Sequence, residues 1–304
     1  GADAIQELAF TLADAITYIE KARERGLAVD EFAPRLSYSL GCFRDIFEEV
    51  AKYRAARRLF ARIMKERFGA KDPRSYLFRT FSGSCGSTLV SQQPLNNIVR
   101  VAMHALMGVL GGHQAIHTAC WDEGFAIPSE AAAQIALRTQ QILAYESGVA
   151  NTTDPLAGSY YVESLTNEIE KRAEAYLARI DAMGGMLKAI DSGFISREIQ
   201  ESSIRYQKAV DSGEKVIVGL NRFQEQEAEE EAAAMDLFQI DPAMEARQKA
   251  GLAALRLKRN QGEVDSILAE LAAVIGRNQN VMPIVIRAVK AYATVGEITG
   301  VMRS

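Results

Sequence analysis

The sequence predicts an α/β fold with parallel strands, on two observations. Helix and strand patterns alternate along the first 150 residues, and the strand-like runs are short. Such alternation implies right-handed crossovers and parallel pairing. Three strands cannot close a barrel. The pattern therefore reads as the C-terminal portion of a (β/α)8 TIM barrel, about three βα units, followed by a mainly helical region.

Residues 3–26 read as one amphipathic helix. Ile5, Leu8, Leu12, Ile16 and Ile19 share a stripe, and Gly26 suits the C-cap. Ala33-Pro34-Arg35-Leu36-Ser37-Tyr38-Ser39-Leu40 leans toward β, ends at Gly41 and is expected as the first strand. Residues 43–68 form a long helix with Ile46, Val50, Tyr53, Leu59, Ile63 and Phe68 inward; Arg54, Arg57, Arg58, Arg62 and Lys65 make its outer face. The second strand is expected at 75–82. Residues 96–110 are almost wholly apolar and closed by Gly111-Gly112, a helix expected to be buried on most sides. Residues 114–119 supply the third strand. Pro128-Ser129-Glu130 then opens a helix to about Ser147, with the proline near its first turn.

After residue 150 the character changes. Asp154-Pro155-Leu156-Ala157-Gly158 leads into a helix over 163–182, and Gly184-Gly185 ends it. Short helices follow at 186–190 and 195–209, then a lone β segment, Val216-Ile217-Val218-Gly219-Leu220. Residues 224–234 are an acidic low-complexity tract, read as a solvated linker. Helices are expected at 243–259, 262–277 and 283–294, with a final turn at 297–302. The expected organisation is a barrel part over 1–150, a helical extension with one short strand over 151–223, and an acidic linker with C-terminal helices over 224–304. Gly1-Ala2-Asp3-Ala4 runs straight into helical periodicity without an initiator Met, as in a piece of a longer chain.

Composition narrows the function classes. Hydrophobic residues make up 48% of the 304, ample for a core. The net charge of −4 is spread along the chain, so there is no nucleic-acid footprint. No apolar run approaches the roughly 18 residues of a membrane helix. The 3 cysteines lie far apart and make no disulfide framework. Together these features predict a cytoplasmic protein with reduced thiols.

Ligands of parallel α/β folds bind at the carboxyl ends of strands. That rule selects Ser39–Cys42, Phe81–Cys85 and the stretch from His117 to Glu123, each with one cysteine. A Cys/His cluster is one way to hold a soft metal. Cysteine is also a common small buried residue, no CxxC spacing occurs, and His113 and His117 read as a turn and a strand residue rather than a ligand pair on one helix, so no metal site is assigned. His104, inside the apolar helix, reads as a core or interface histidine, and His113 as a turn residue. The side chain of His117 points either into the barrel or out toward the helices. Glu123 is the best carboxylate candidate at the mouth. Arg35 opens the first strand and Arg79 lies inside the second; a buried arginine there needs an anionic partner. With no Walker loop, no GxGxxG and no Ser-His-Asp set, no catalytic residue is assigned.

Several stretches carry a resemblance. They are Glu7-Leu8-Ala9-Phe10-Thr11-Leu12-Ala13-Asp14, Phe32-Ala33-Pro34-Arg35-Leu36-Ser37, Arg54-Ala55-Ala56-Arg57-Arg58, Asn96-Asn97-Ile98-Val99-Arg100, Asp154-Pro155-Leu156-Ala157-Gly158-Ser159-Tyr160-Tyr161-Val162-Glu163 and Val216-Ile217-Val218-Gly219-Leu220-Asn221. In this order they resemble the methylmalonyl-CoA mutase large-subunit family over nearly the whole chain. The resemblance implies a coenzyme-B12-dependent carbon-skeleton rearrangement of an acyl-CoA, in a (β/α)8 barrel threaded by the pantetheine arm. It implies adenosylcobalamin as cofactor. The family's Asp-x-His-x-x-Gly motif is absent here, so cobalt's lower ligand would come from a cobalamin-binding domain or subunit outside this chain. The missing N-terminal barrel half is a further implied partner, and association into an oligomer is expected.

By the same resemblance, Arg35 and Ser37 match positions that hold CoA, and Arg74 stands where the family commonly has a CoA-contacting lysine. Gln114 and Glu123 match mouth positions, the glutamate resembling one that holds the ribose of the adenosyl group. The departures cluster. The family usually reads Arg-x-His-x-Gln-Thr-Ser-Gly where this chain reads Arg79-Thr80-Phe81-Ser82-Gly83-Ser84-Cys85-Gly86. Phe81 and Gly83 thus replace a histidine and a glutamine of the substrate pocket, and Ala119 replaces the asparagine of His-Thr-Asn. The resemblance thereby implies an acyl group other than methylmalonyl, bulkier or less polar. The alternative is a non-catalytic mutase-like subunit or fragment that binds CoA esters or a partner subunit.

Overall fold

A computed structural model describes residues 1–225, 238, 240–277 and 279–303. The chain divides into two compact units, Gly1–Phe238 and Gln239–Ser304. Residues 1–150 and 151–223 both fall within the first.

The first unit is α/β. Its strands β1 (Tyr38–Cys42), β2 (Thr80–Ser84) and β3 (Ala115–His117) form one parallel sheet in that order. Each pair is joined by a helix, α3 (Ile46–Glu66) between β1 and β2, and α4 (Asn96–Leu110) between β2 and β3. A parallel pair requires such a crossover; α2 (Val29–Phe32) precedes β1 and α5 (Glu130–Glu146) follows β3. All three strands start later than the sequence pattern suggests. Pro34 and Pro73 each enter a short 3-10 turn, Ala33–Arg35 and Pro73–Tyr76. Proline has no N–H to give a ladder and its φ suits a first helical turn. Arg35 therefore precedes β1, and Arg79 precedes β2.

Helix α1 (Ala4–Glu24) is capped by Asp3, whose carboxylate accepts from Ile5 and Gln6 N–H while Gln6 reaches back to Asp3 N–H. All five residues of its expected stripe are buried. They pack with Leu59, Phe60 and Met64 of α3 and with Ile169, Ala173, Leu177 and Ile180 of α6 (Tyr160–Ala182), and this is the main core. Much of the arginine face of α3 meets carboxylates, while Arg58 and Lys65 stay exposed. Arg54 pairs with Asp154 and Glu163, Arg58 with Glu170, and Arg62 with Glu170 and Glu174. Arg67 adds Asp181 and Glu20. The guanidinium row of one helix thus meets the carboxylate row of another.

Helix α4 has the expected bounds, yet only one side is covered. Val101, Ala105 and Met107 are buried, whereas Val99 and Met103 are exposed. The expected β segment at 216–220 is a turn, with only a single bridge, Val218 to Arg222. Asn221 folds it, accepting from Ile217 N–H at 2.7 Å and donating to Val210 O at 2.7 Å and Lys215 O at 2.8 Å. The acidic tract lies, from residue 226, outside the described residues.

The second unit holds helices Pro242–Lys258, Gln261–Gly276, Met282–Lys290 and Val295–Arg303. The last three share a small core of Ile267, Leu271, Ile284, Ala288 and Ile298. Arg259 and Glu297 clamp it, with a 2.8 Å hydrogen bond reinforced by Arg259 donating to Tyr292 O at 2.9 Å. No helix among the described residues is long and apolar enough to cross a membrane.

Candidate functional site

The sheet has one covered face and one open face, and the strand period of two sorts the side chains between them. Leu40, Cys42, Thr80 and Ser82 are buried against the helices. Ser39, Phe81, Ala115 and His117 are exposed on the other side. In register, Ser39 aligns with Phe81 and Ala115, and Gly41 aligns with Gly83 and His117. Phe81 and His117 lie with ring centroids 6.4 Å apart. A side chain at Gly83 would point between them, 3.6 Å from the Phe81 ring and 3.8 Å from His117. His117, left open by the sequence, therefore belongs to the open face.

At the carboxyl end of the sheet, glycines admit close neighbours. Cys85 Sγ occupies the space a side chain at Gly41 would need, and Glu123 Oε1 occupies the space at Gly86. The loops there are held from behind by Asn97, which is fully buried. Its amide accepts from Val90 N–H at 3.2 Å and donates to Val90 O at 2.8 Å and Trp121 O at 3.0 Å. Arg100 fixes its orientation with a 2.8 Å bond. The loop after β2 is thereby tied to the loop that carries Glu123. Asp122 in turn ties the Glu123 loop to the start of the following helix, accepting from Ser129 N–H at 2.8 Å.

Not every mouth candidate reaches the mouth. Ala119 is buried with Leu89 and Val101, away from the open face. Gln114 precedes β3, at the amino end of the sheet, where its Oε1 accepts from Thr80 N–H at 2.6 Å. There it pins the start of β2 beside β3. Cys42 and Cys120 are engaged by different neighbours. Cys42 Sγ bonds Tyr53 OH at 3.0 Å and Ser82 Oγ at 2.7 Å, while Cys120 packs with Ala132 and Ala136. Among the described residues no group of three or more His, Cys, Asp or Glu is placed to hold a metal ion.

Arg35, Ser37 and Arg74 also stand at the amino end, before β1 and β2, and all three are exposed. Asp30 stitches this end, accepting from Ser75 Oγ at 2.7 Å and Lys71 N–H at 2.9 Å. Arg74 rests on Asp72 through a 2.6 Å ion pair, and Arg79 donates to Arg74 O at 3.3 Å.

Beneath the carboxyl end of β1 lies an ionic group that sequence reasoning missed. Lys52, 1% exposed, donates to Glu49 at 2.7 Å, to Glu7 and to Gly41 O at 2.9 Å. Tyr53 OH donates to Gly41 O at 2.6 Å, and Glu7 accepts from Gly41 N–H at 2.7 Å. Desolvation pushes the Glu49 carboxyl up, against the pull of Lys52. Both polar groups of Gly41 are satisfied by side chains. The available signal was the Glu49/Lys52/Tyr53 spacing, which puts all three on one side of α3.

A family model, methylmalonyl-CoA mutase, matches residues 1–304. The chain belongs to that family. The 2-hydroxyisobutanoyl-CoA mutase large subunit of Aquincola tertiaricarbonis is 44% identical over 299 residues, 98% of this chain and 53% of that protein. Methylmalonyl-CoA mutase of Escherichia coli K12 is 42% identical, covering 98% of this chain and 41% of that protein. The human mitochondrial methylmalonyl-CoA mutase is 39% identical over the whole chain and 40% of its own length. The chain thus spans about half or less of the relatives it matches. All three are mutases, which are isomerases.

Proposed function

We propose that this chain is part of the catalytic portion of a coenzyme-B12-dependent acyl-CoA mutase. Its three strands would complete a (β/α)8 barrel with strands outside this chain. The observation that carries the reading is the open sheet face. Phe81, Gly83 and His117 form one patch there, between a basic amino end and a carboxylate at the carboxyl end.

On this reading a CoA ester lies along the strands. Arg35, Ser37 and Arg74 hold its phosphate end, where guanidinium–phosphate bonds are charge-assisted and directional. The acyl end meets Phe81 and Gly83. A site that hydrogen-bonds a substrate rejects analogues lacking the group, and an apolar site does not. The acyl group is therefore bulkier or less polar than methylmalonyl. Phe81 and His117 keep water from the reacting carbon.

The residues at the carboxyl end fit an adenosyl group in part. Glu123 offers an exposed carboxylate to ribose hydroxyls. Ala119 is buried and has no polar side-chain atom, and Gln114 stands at the far end, so neither fits a contact. When bound, adenosylcobalamin supplies the radical chemistry, and the chain supplies orientation and exclusion. A cobalamin-binding domain or subunit supplies the cobalt ligand. The setting is cytoplasmic, in keeping with three free cysteines.

A second reading, a non-catalytic mutase-like subunit that binds CoA esters or a partner, draws on the apolar Phe81. The test uses the intact protein with its cobalamin-binding component and adenosylcobalamin. Acyl-CoA isomers are followed by mass spectrometry. Turnover is expected, with Arg35→Gln raising KM about tenfold and leaving kcat. CoA-ester binding without turnover favours the second reading, and absence of both overturns the first and leaves the second only as a partner-binding subunit. A complex in which a methylmalonyl carboxylate is fully hydrogen-bonded beside Phe81 would overturn the apolar acyl assignment.

A further inference from the structure

The first unit has a recess away from the open sheet face. It lies between α4 and the Val216–Val218 turn and encloses about 490 Å³. Val99, Met103 and Met107 line one wall, and Val216 and Val218 the other. Its polar end holds Arg44, Arg100 and His104.

The two arginines are half-buried, and each is held by neutral acceptors. Arg44 donates to Thr88 O at 3.0 Å and to the Tyr206 hydroxyl. Arg100 donates to Asn97 Oδ1 at 2.8 Å and to Val218 O at 2.7 Å. Among the described residues neither has a carboxylate partner, and no acidic side chain lines the recess. The arginines of α3 that face α6 differ, each meeting one or two carboxylates. Burial pulls the pKa of both Arg44 and Arg100 down, and the charge of Arg44 adds to this at Arg100. His104, buried beside them, bonds Thr88 Oγ1 at 3.3 Å. It brings no negative charge.

Two cations drawn partly out of water without an anion are a net cost to the fold. A concave, mostly apolar wall with a few convergent polar groups is the usual make-up of a small-ligand site. The ligand must then answer both features. Two guanidinium groups with no lysine and no glycine-rich backbone cradle suit one carboxylate, and the apolar walls suit a hydrocarbon body.

We propose that this recess binds a small carboxylic acid with an apolar body, its carboxylate between Arg44 and Arg100 and its chain along Val99, Met103 and Val216.

Octanoate is the probe, titrated by calorimetry into the intact protein that carries this chain. Octanol, of equal length and uncharged, is the control. Saturable binding of one octanoate is expected, with octanol at least about tenfold weaker, the scale of a lost charged hydrogen bond. Arg44→Gln should weaken octanoate about tenfold on the same basis. Met103→Glu, at an exposed position on α4, should abolish binding by placing a like charge in the recess. Thermal melting checks that both variants fold, and Met103→Glu alone decides the matter if Arg44→Gln does not. The proposal is overturned if octanoate does not bind, if the folded variants bind it equally, or if CoA competes for it, which would put it on the open sheet face.

Discussion

At Gly41 the backbone passes against Cys85 Sγ so closely that a methyl group has no room. Gly41→Ala should therefore destabilise the protein by about 1–3 kcal/mol, the usual cost of overpacking. Cys85→Ala should recover part of that loss, because the obstructing atom is a side chain. Urea denaturation of the two single variants and the double checks this, and strict additivity would refute the contact. His104 makes a pH-dependent contribution. Burial, with Arg44 and Arg100, pushes its pKa down to about 4, against about 6.5 in an unfolded chain. Between those values the unfolded chain binds the extra proton. The stability from this group is fully present above about pH 6.5 and is lost as pH falls toward 4. The full change is on the order of 3 kcal/mol. His104→Gln should flatten the slope of unfolding free energy over that window, as measured at closely spaced pH values; an unchanged slope would show that the ring titrates freely.

At the scale of elements, α3 does two jobs with opposite faces. One face is locked to α6 by Arg54, Arg58 and Arg62. The other carries Lys52 and Tyr53 under β1, where they hold Gly41 O. Removing one member of a buried pair leaves the other uncompensated, which costs about 3–5 kcal/mol. Lys52→Met should fall in that range by chemical denaturation. Lys52→Met with Glu49→Leu should recover much of it, since the two buried charges then go together and only the partly exposed Glu7 is left. If the double variant is no better than the single, the loss lies in Gly41 rather than in the stranded carboxylate. The loops beyond the strands depend on α4 in the same way. Asn97 joins Val90 to Trp121, so Glu123 is positioned from the back of the sheet and not by its own loop alone.

At the scale of the whole molecule, the open face of the sheet carries Phe81, 39% exposed, and His117 on an unpaired three-stranded sheet. Unpaired strand edges and exposed aromatic surface favour pairing with further protein. The 304 residues made alone should self-associate or take up a partner. Sedimentation velocity would reveal this, and a single sharp monomer with cooperative melting would refute it. The file of candidates along the strands is also a whole-molecule property. Arg35 and Arg74 lie before β1 and β2, Phe81 and Gly83 within β2, and Glu123 beyond β3. Residues distant in sequence share an end only because the strands run parallel.

The sequence by itself determined the helices. The stripe from Ile5 to Ile19, the small-residue stops and the apolar run at 96–110 are local signals, and local hydrogen bonding makes a helix where they occur. The alternation with short β-leaning runs also made the parallel sheet legible. Matching motifs gave the family, and with it Arg35, Phe81 and Glu123 as candidates. Only the tertiary structure decided where each strand starts, because pairing with a neighbour, not propensity, ends the turns at Pro34 and Pro73. It alone decided that the arginine row of α3 meets carboxylates, that Ala119 is walled off by Leu89 and Val101, and that Gln114 and Glu123 stand at opposite ends. Each of these depends on a partner far along the chain, and no local pattern specifies such a partner.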